Sequence, residues 1–238
     1  MNLNAKKRID RVVAPYFATN CWIVGQEDFC VLVDPGIGDP YIVNELLSLL
    51  AEAKLRVGAI LITHGHIDHT FSLIPLAREL ESSSIYIHSA DRDLLSNPER
   101  ALSDTSQGLF RDLKMRFPKH EFVEPEGIEV FKHDFDISLA GMKFEIFNTP
   151  GHTPGSIVAR IDNEILLSGD TLFAGSIGRT DLPRGSISDM ERSLREKIWP
   201  MSGDLLLLPG HGETSRLEWE FEMNPYLIAA KEGRLAEL

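Results

Sequence analysis

Residues Thr63-His64-Gly65-His66-Ile67-Asp68-His69 place three imidazoles and one carboxylate within seven positions. These are the ligand types of zinc, iron and manganese sites. A metal site also needs its donors to converge. Val57-Gly58-Ala59-Ile60-Leu61-Ile62, just before the cluster, reads as a buried strand. Just after it, Phe71, Ile74, Ala77 and Leu80 recur at helical spacing and predict a helix over 69–81. The cluster therefore sits on a strand-to-helix turn. Three later segments have the same character. Asn148-Thr149-Pro150-Gly151-His152-Thr153-Pro154-Gly155 follows an apolar run, as do Ser168-Gly169-Asp170-Thr171 and Pro209-Gly210-His211-Gly212. Glycine lets backbone come close to a site, proline stiffens the turn, and a strand end holds the donor rigidly.

The candidate donors are His64, His66, Asp68, His69, His152, Asp170 and His211. Seven exceed the needs of one tetrahedral zinc and suit two divalent metals that share a carboxylate and a water. Zinc is the first expectation, and iron or manganese also match the donor set. Taken alone, His152 or His211 would read as a core histidine. His88, His120 and His133 lack the context and read as structural or surface residues.

The surrounding elements must bring these turns together. Residues 20–25 and 29–34 read as two short strands joined by a hairpin at Gly25–Asp28, the second ending at Asp34-Pro35-Gly36. Asp39 with Pro40 predicts a helix start, with Ile42, Leu46, Leu47 and Leu50 as the buried stripe. Ser84–His88 is a further strand. Residues 91–118 turn polar, with helical patches at Asp91–Leu95 and Leu109–Phe117, and fit either an excursion over the site or surface helices. Strands are predicted at Ile128–Phe131, Met142–Phe147, Ser156–Ile161, Glu164–Leu167 and Asp204–Leu208, with a turn at Asp162-Asn163. Ser188 with Glu191, and Ser215 with Glu218, predict two capped helices, the second stopped near Asn224-Pro225, and 226–238 reads as a short terminal helix.

No low-complexity linker interrupts residues 1–238, which read as one domain with a helical tail at about 214–238, two sheets packed face to face and helices outside. The chain has 238 residues, 43% hydrophobic and 25% charged, enough to bury a core without a structural metal, so the donor cluster reads as catalytic. With 24 basic and 36 acidic side chains the net charge is −12, which disfavours binding to nucleic acid or an anionic membrane. Cys21 and Cys30 read as buried thiols on adjacent strands, not a disulfide framework. The basic N-terminus, Met1–Arg8, lacks the apolar stretch of a signal peptide, and no run is long enough to span a membrane. The expected location is the cytoplasm.

The His64-Gly-His66-Ile-Asp68-His69 turn, with His152, Asp170 and His211 following in that order, resembles the metallo-β-lactamase-fold hydrolases over roughly residues 20–225. The resemblance implies an α+β, four-layer αββα sandwich with the metals at one edge between the sheets. It assigns His64, His66 and His152 to one metal, Asp68, His69 and His211 to the other, and Asp170 as the bridge. Asp34 matches the family's carboxylate that supports a ligand without being one. The stretches Ser168–Phe173 and Gly178–Gly185, with His211-Gly212, Thr214, Glu220 and Asn224-Pro225-Tyr226, resemble short-chain glyoxalase II-like thioester hydrolases. Only 27 residues (238 − 211) follow His211, fewer than the helical domain that helps full-length glyoxalase II hold glutathione, so that specificity is not implied.

The resemblance points to a small-molecule substrate, a thioester of a low-molecular-weight thiol, hydrolysed by a metal-bridging hydroxide that Asp68 and Asp170 orient. Phe173 and Arg179 are the candidate substrate contacts; Arg179 either meets a substrate carboxylate or pairs with Asp181. Persulfide dioxygenases share a Gly-Arg-Thr-Asp stretch like Gly178–Asp181 and use one iron held by residues matching His64, His152 and Asp170, which makes an oxygenase the alternative. A nuclease of the same fold fits the charge poorly. A lactamase lacks the bridging carboxylate, and flavin-linked di-iron reductases carry glutamate at the place of His66.

Overall fold

The computed structural model describes residues 6–80, 83–202 and 204–238. Met1–Ala5 of the basic N-terminus and Glu81, the end of the expected helix 69–81, lie outside the described residues. Strands β1 (Arg8–Val13), β2 (Asn20–Gln26), β3 (Phe29–Val33), β4 (Arg56–Leu61), β5 (Ser84–His88) and β6 (Ile128–Phe131) form one sheet in that order. The second sheet has the order β12 (Ser215–Arg216), β11 (Leu206–Pro209), β10 (Ile165–Gly169), β9 (Ile157–Ile161), β8 (Met142–Asn148), β7 (Phe135–Leu139).

The side-chain period of two explains the layers. Trp22, Val24, Val31, Val33, Ala59 and Leu61 point from the first sheet onto Phe144, Ile146, Ala159, Ile161, Leu167 and Leu208 of the second. The alternate residues Cys21, Ile23, Cys30, Leu32, Ile60 and Ile62 face outward and are covered by α1 (Tyr41–Ala53) and α3 (Leu73–Glu79). On the far side, Val158, Leu166 and Leu207 are covered by α5 (Ile187–Ser193), its π-turn continuation Leu194–Ile198, and α7 (Pro225–Glu232). The result is αββα. Strands buried on both faces must be apolar throughout, which is why they read as continuous hydrophobic runs. Cys21 and Cys30 are free and buried on β2 and β3.

Strand direction gathers the site at one edge. β3, β4, β5 and β6 pair in parallel, so their carboxyl ends lie together. In the second sheet β8 and β10 flank β9, which is antiparallel to both, and β10 pairs in parallel with β11. The carboxyl ends of β8, β10 and β11 therefore also share an edge. Turns at Glu27-Asp28, Ala140-Gly141 and Asp162-Asn163 occupy the opposite edge. Asp162 and Asn163 both have positive φ (47° and 56°), as a tight hairpin turn requires, and the Glu164 amide closes the turn on Ile161 O. At the site edge the sheets are hydrogen-bonded to each other. Asn20 Nδ2 and Trp22 Nε1 both donate to the Pro209 carbonyl, the Asn20 amide donates to Gly210 O, and the Ile157 amide donates to Thr63 O.

Several local expectations are corrected. Asp39 does not cap α1; Pro40 occupies the cap position and its helix starts at Tyr41 without a side-chain cap. The helix expected over 69–81 is two, α2 (Ile67–Thr70) and α3, separated by Phe71 and Ser72, because Pro75 has no amide for the Phe71 carbonyl and its ring would clash with it in a continuous helix. Ser186, not Ser188, caps α5 by accepting from the Asp189 amide, since the preceding turn delivers the backbone two residues earlier. Ser215 lies on β12 and donates to Glu220 instead of capping α6 (Leu217–Met223). Asn224 caps α7 through bonds from the Tyr226 and Leu227 amides. The terminal segment is not one helix: Gly233 ends α7 in a left-handed turn, followed by a 3-10 turn at Leu235–Glu237. Within 91–118, α4 (Gln107–Arg116) packs Phe110 and Leu113 against Ile67 and Phe71, so this segment buttresses the helix that carries Asp68 and His69. No helix among the described residues is long and apolar enough to cross a membrane.

Candidate metal centre

All the donors predicted from the sequence follow strand ends at the shared edge. His64, His66, Asp68 and His69 come from the turn after β4, His152 from the turn after β8, Asp170 from the end of β10, and His211 from the end of β11. Their atoms meet. His66 Nδ1 lies 3.1 Å from His64 Nε2 and 2.8 Å from His152 Nε2. His211 Nε2 lies 3.2 Å from both His69 Nε2 and Asp68 Oδ2, and His69 Nε2 is 3.6 Å from Asp68 Oδ2. Asp170 stands between the two groups, 3.4 Å from His152 Nε2, 3.5 Å from His69 Nε2 and 3.5 Å from His211 Nε2.

These spacings fit a cation better than hydrogen bonds. Tetrahedral donors at zinc–nitrogen distances of 2.0–2.1 Å stand roughly 3.3 Å apart, the middle of the observed range. The ring protons are also already committed elsewhere. Thr63 Oγ1 lies 3.1 Å from His64 Nδ1 and gives its own proton to Asp34 Oδ2, so it accepts from the ring. His152 Nδ1 donates to the Arg179 carbonyl at 2.7 Å, His211 Nδ1 to the Phe17 carbonyl at 3.1 Å, and His69 Nδ1 to Asp34 at 2.8 Å. Four rings thus direct Nε2 to the centre and Nδ1 to an acceptor, the orientation that a metal requires. Asp170 Oδ1 is buried without a hydrogen-bond partner among the described residues, as is His66 Nε2. An unpaired buried carboxylate oxygen is costly unless a cation meets it.

The electrostatics agree. Burial, helped by neighbouring imidazoles, pushes His64 well below its ordinary value and His66 down to about 3, so both rings are neutral. Burial acts the same way on His69, but the carboxylates of Asp170, Asp68 and Asp34 outweigh it and lift that ring to about 10. Burial opposes the charge on Asp68 too, and His69 and His211 hold its carboxyl well below the usual range. The acids at this spot draw positive charge to it, which a divalent cation satisfies.

The substrate-contact candidates fare differently. Phe173 lines the centre, its ring 6.1 Å from that of His211. The Arg179 side chain is exposed and makes a two-point pair with Asp181, at 2.8 and 2.7 Å. The same residue reaches His152 through its backbone carbonyl, a role its side chain does not announce. Asp34 is buried, accepts from the Thr63 amide and hydroxyl, and holds His69. A second buried acid, Asp91, escaped the sequence reading. It takes hydrogen bonds from the Gly65 amide, the Thr153 hydroxyl and the Gly155 amide. The available signal was positional, since Asp91 follows parallel strand β5 as Asp34 follows β3. Glu220 and Asn224 tether the Phe173–Ser176 turn, through the Gly175 amide and the Phe173 and Ser176 carbonyls.

Comparison with known proteins agrees with this architecture. The hydroxyacylglutathione hydrolase GloC of Haemophilus influenzae is 31% identical over 223 residues, covering 92% of this chain and 97% of the relative. The crystal structure of BLEG-1 B3 metallo-beta-lactamase superposes with a TM-score of 0.80 at 29% identity, covering 92% of this chain and 99% of that one. TTHA1623, solved in a di-iron-bound form, gives a TM-score of 0.72 at 27% identity and covers 91% and 99%. The family model for the Metallo-beta-lactamase superfamily matches residues 14–211, from the end of the first strand to the last donor histidine, and the chain belongs to that superfamily.

Proposed function

We propose that this metallohydrolase uses two divalent cations, zinc foremost, to hydrolyse thioesters of a low-molecular-weight thiol, hydroxyacylglutathione-like in chemistry. The observation that carries the reading is two sets of converging donors, His64/His66/His152 and Asp68/His69/His211, with Asp170 in reach of both. The 31% identity to a hydroxyacylglutathione hydrolase supports the substrate class. On this reading the first set holds one cation, the second set the other, and Asp170 spans them. Bound there, the cations would supply an ionised water at neutral pH and polarise the thioester carbonyl.

The chain's own residues do the rest. Asp68 and Asp170 orient the attacking water. The tautomers fixed by Asp34, Arg179 O and Phe17 O keep the donors from rotating, so the site is preorganised. A thiolate departs without a strong general acid, which agrees with the absence of one from the ligand set. Phe173 offers the acyl group an apolar wall, and Arg179, on the same exposed loop, can exchange Asp181 for a substrate carboxylate.

One preparation tests the reading by metal stoichiometry, S-lactoylglutathione hydrolysis, and oxygen uptake with a persulfide. Two cations per chain with hydrolysis is the expected result. One iron per chain with oxygen consumption would sink the proposal, and unchanged activity in His66→Ala or Asp68→Ala would sink the two-cation assignment.

A further inference from the structure

Strand β4, whose end carries His64 to His69, lies between β3 and β5. Each flanking strand sends one buried carboxylate over the turn, Asp34 from β3 and Asp91 from β5. Their partners differ. Asp34 holds Thr63 and His69. Asp91 Oδ2 accepts from the Gly65 amide at 2.9 Å, between His64 and His66, and from the Thr153 hydroxyl at 2.5 Å. Its Oδ1 accepts from the Gly155 amide at 3.0 Å. Thr153 and Gly155 belong to the turn of His152, on the other sheet. Asp91 is thus the one side chain, among the described residues, that bonds both the turn of His66 and the turn of His152. Among the described residues it makes no hydrogen bond or ion pair with Asp68, His69 or His211.

We infer that Asp91 is a positioning residue for the cation held by His64, His66 and His152, setting the 2.8 Å approach of His66 to His152 while leaving the second position to Asp34. This rests on the two-cation part of the proposed function, not on the thioester. The chemistry calls for a carboxylate. Three donors point at two oxygens, and an amide would set its NH2 against one of them. The approach is also too close for any side chain at 155: a Cβ there would lie 2.5 Å from Asp91 Cγ. Arg184, on the loop that also carries the Arg179 carbonyl, bonds Ala90 O and Asp93 and brings its guanidinium to 3.8 Å from Asp91. The buried charge has its counter-ion from that loop.

Cobalt(II) titration of the metal-free chain, followed by visible absorption, tests the inference. His66→Ala gives the spectrum of a chain lacking the first position. Asp91→Asn is expected to weaken that same equivalent 10–100-fold, in the range typical for groups that orient ligands, and to leave the other within twofold of wild type. Thr153→Val, which removes one bond and keeps the shape, is expected to weaken the same equivalent by a smaller factor, and it decides the matter if Asp91→Asn does not fold by circular dichroism. A folded Asp91→Asn that binds both equivalents as wild type does, or weakens both equally, overturns the inference. S-lactoylglutathione hydrolysis is measured on the same wild-type sample. Two tightly bound cations without hydrolysis would defeat the thioester proposal and leave Asp91 standing, whereas a wild-type chain that takes up no cobalt would overturn both.

Discussion

Gly210→Ala should separate catalysis from folding. Gly210 lies between Pro209 and His211, and its amide donates to Gly169 O at 2.8 Å while its carbonyl receives the Asn20 amide at 2.7 Å. Both backbone groups are committed, so the residue cannot swing away. A Cβ there would lie 2.2 Å from Asp170 Oδ1 and 2.8 Å from His69 Cε1. Ordinary contact begins at 3.4 Å, so Asp170 or the backbone must yield by about 1.2 Å, the gap between those distances. Overpacking of this kind costs about 1–3 kcal/mol. For a domain of this size that lowers the melting temperature by about 2–12 °C, and most of the chain remains folded at 25 °C. Activity is far more sensitive, because a misplacement of about 1 Å near a reacting centre costs on the order of 100-fold. The assay is kcat/KM for S-lactoylglutathione beside cation stoichiometry and a melting curve. A 100-fold loss of kcat/KM with modest destabilisation is expected. A variant with both cations and more than a third of wild-type activity would refute the argument that Asp170 must stay where it stands.

Two further predictions concern groups away from the centre. Burial, with a contribution from Asp34, pushes the Cys21 thiol far up, and burial with Asp10 pushes Cys30 up to about 12. Both should ignore an aromatic disulfide reagent at pH 8 in the native chain and react fully in guanidinium, two thiols per chain; rapid labelling of either in the folded state would contradict their burial. His120 stacks on Phe71 with centroids 3.8 Å apart, and burial lowers its ordinary value. The folded chain then prefers the neutral ring while the unfolded chain takes up a proton near 6.5, so this residue's contribution is complete above pH 6.5 and falls away as the pH drops below it. Chemical denaturation between pH 5 and 7 should show a shallower acid-side decline in His120→Phe than in wild type, and identical slopes would show that the ring titrates alike in both states.

The donors were legible because each sits where sequence is most outspoken, directly after an apolar strand, with glycine or proline beside it. Fold class followed from the same runs. Less could be read where neighbours in space decide. Arg8–Val13 is a charged edge strand and Ser215–Arg216 has only two residues, so neither announced itself as strand, while Phe135–Leu139 signals only by the alternation of Phe135, Ile137 and Leu139 with Asp136 and Ser138. Ser186 and Ser188 are equally good caps by type, and the incoming backbone chose between them. The break at Phe71-Ser72 agrees with Pro75, which lies four residues after Phe71 and can neither bond its carbonyl nor fit beside it in an unbroken helix. Asp91 reads like another surface acid in a polar stretch until the second sheet brings Thr153 and Gly155 to it. Arg179 was legible as a side chain, whereas the carbonyl that orients His152 carries no residue identity.

The bonds from Asn20, Trp22 and Ile157 that tie one sheet to the other act as the spine of a book. The fore-edge, where the turns at Glu27, Ala140 and Asp162 lie, is clasped by Lys7, which donates to Glu164 at 2.9 Å and lies 3.2 Å from Asp162. Breaking the Lys7 pairs, for example with Lys7→Ala, should let the sandwich open at the end far from the donors. Substitutions at that end can therefore loosen the sandwich without altering the spacing of its donors.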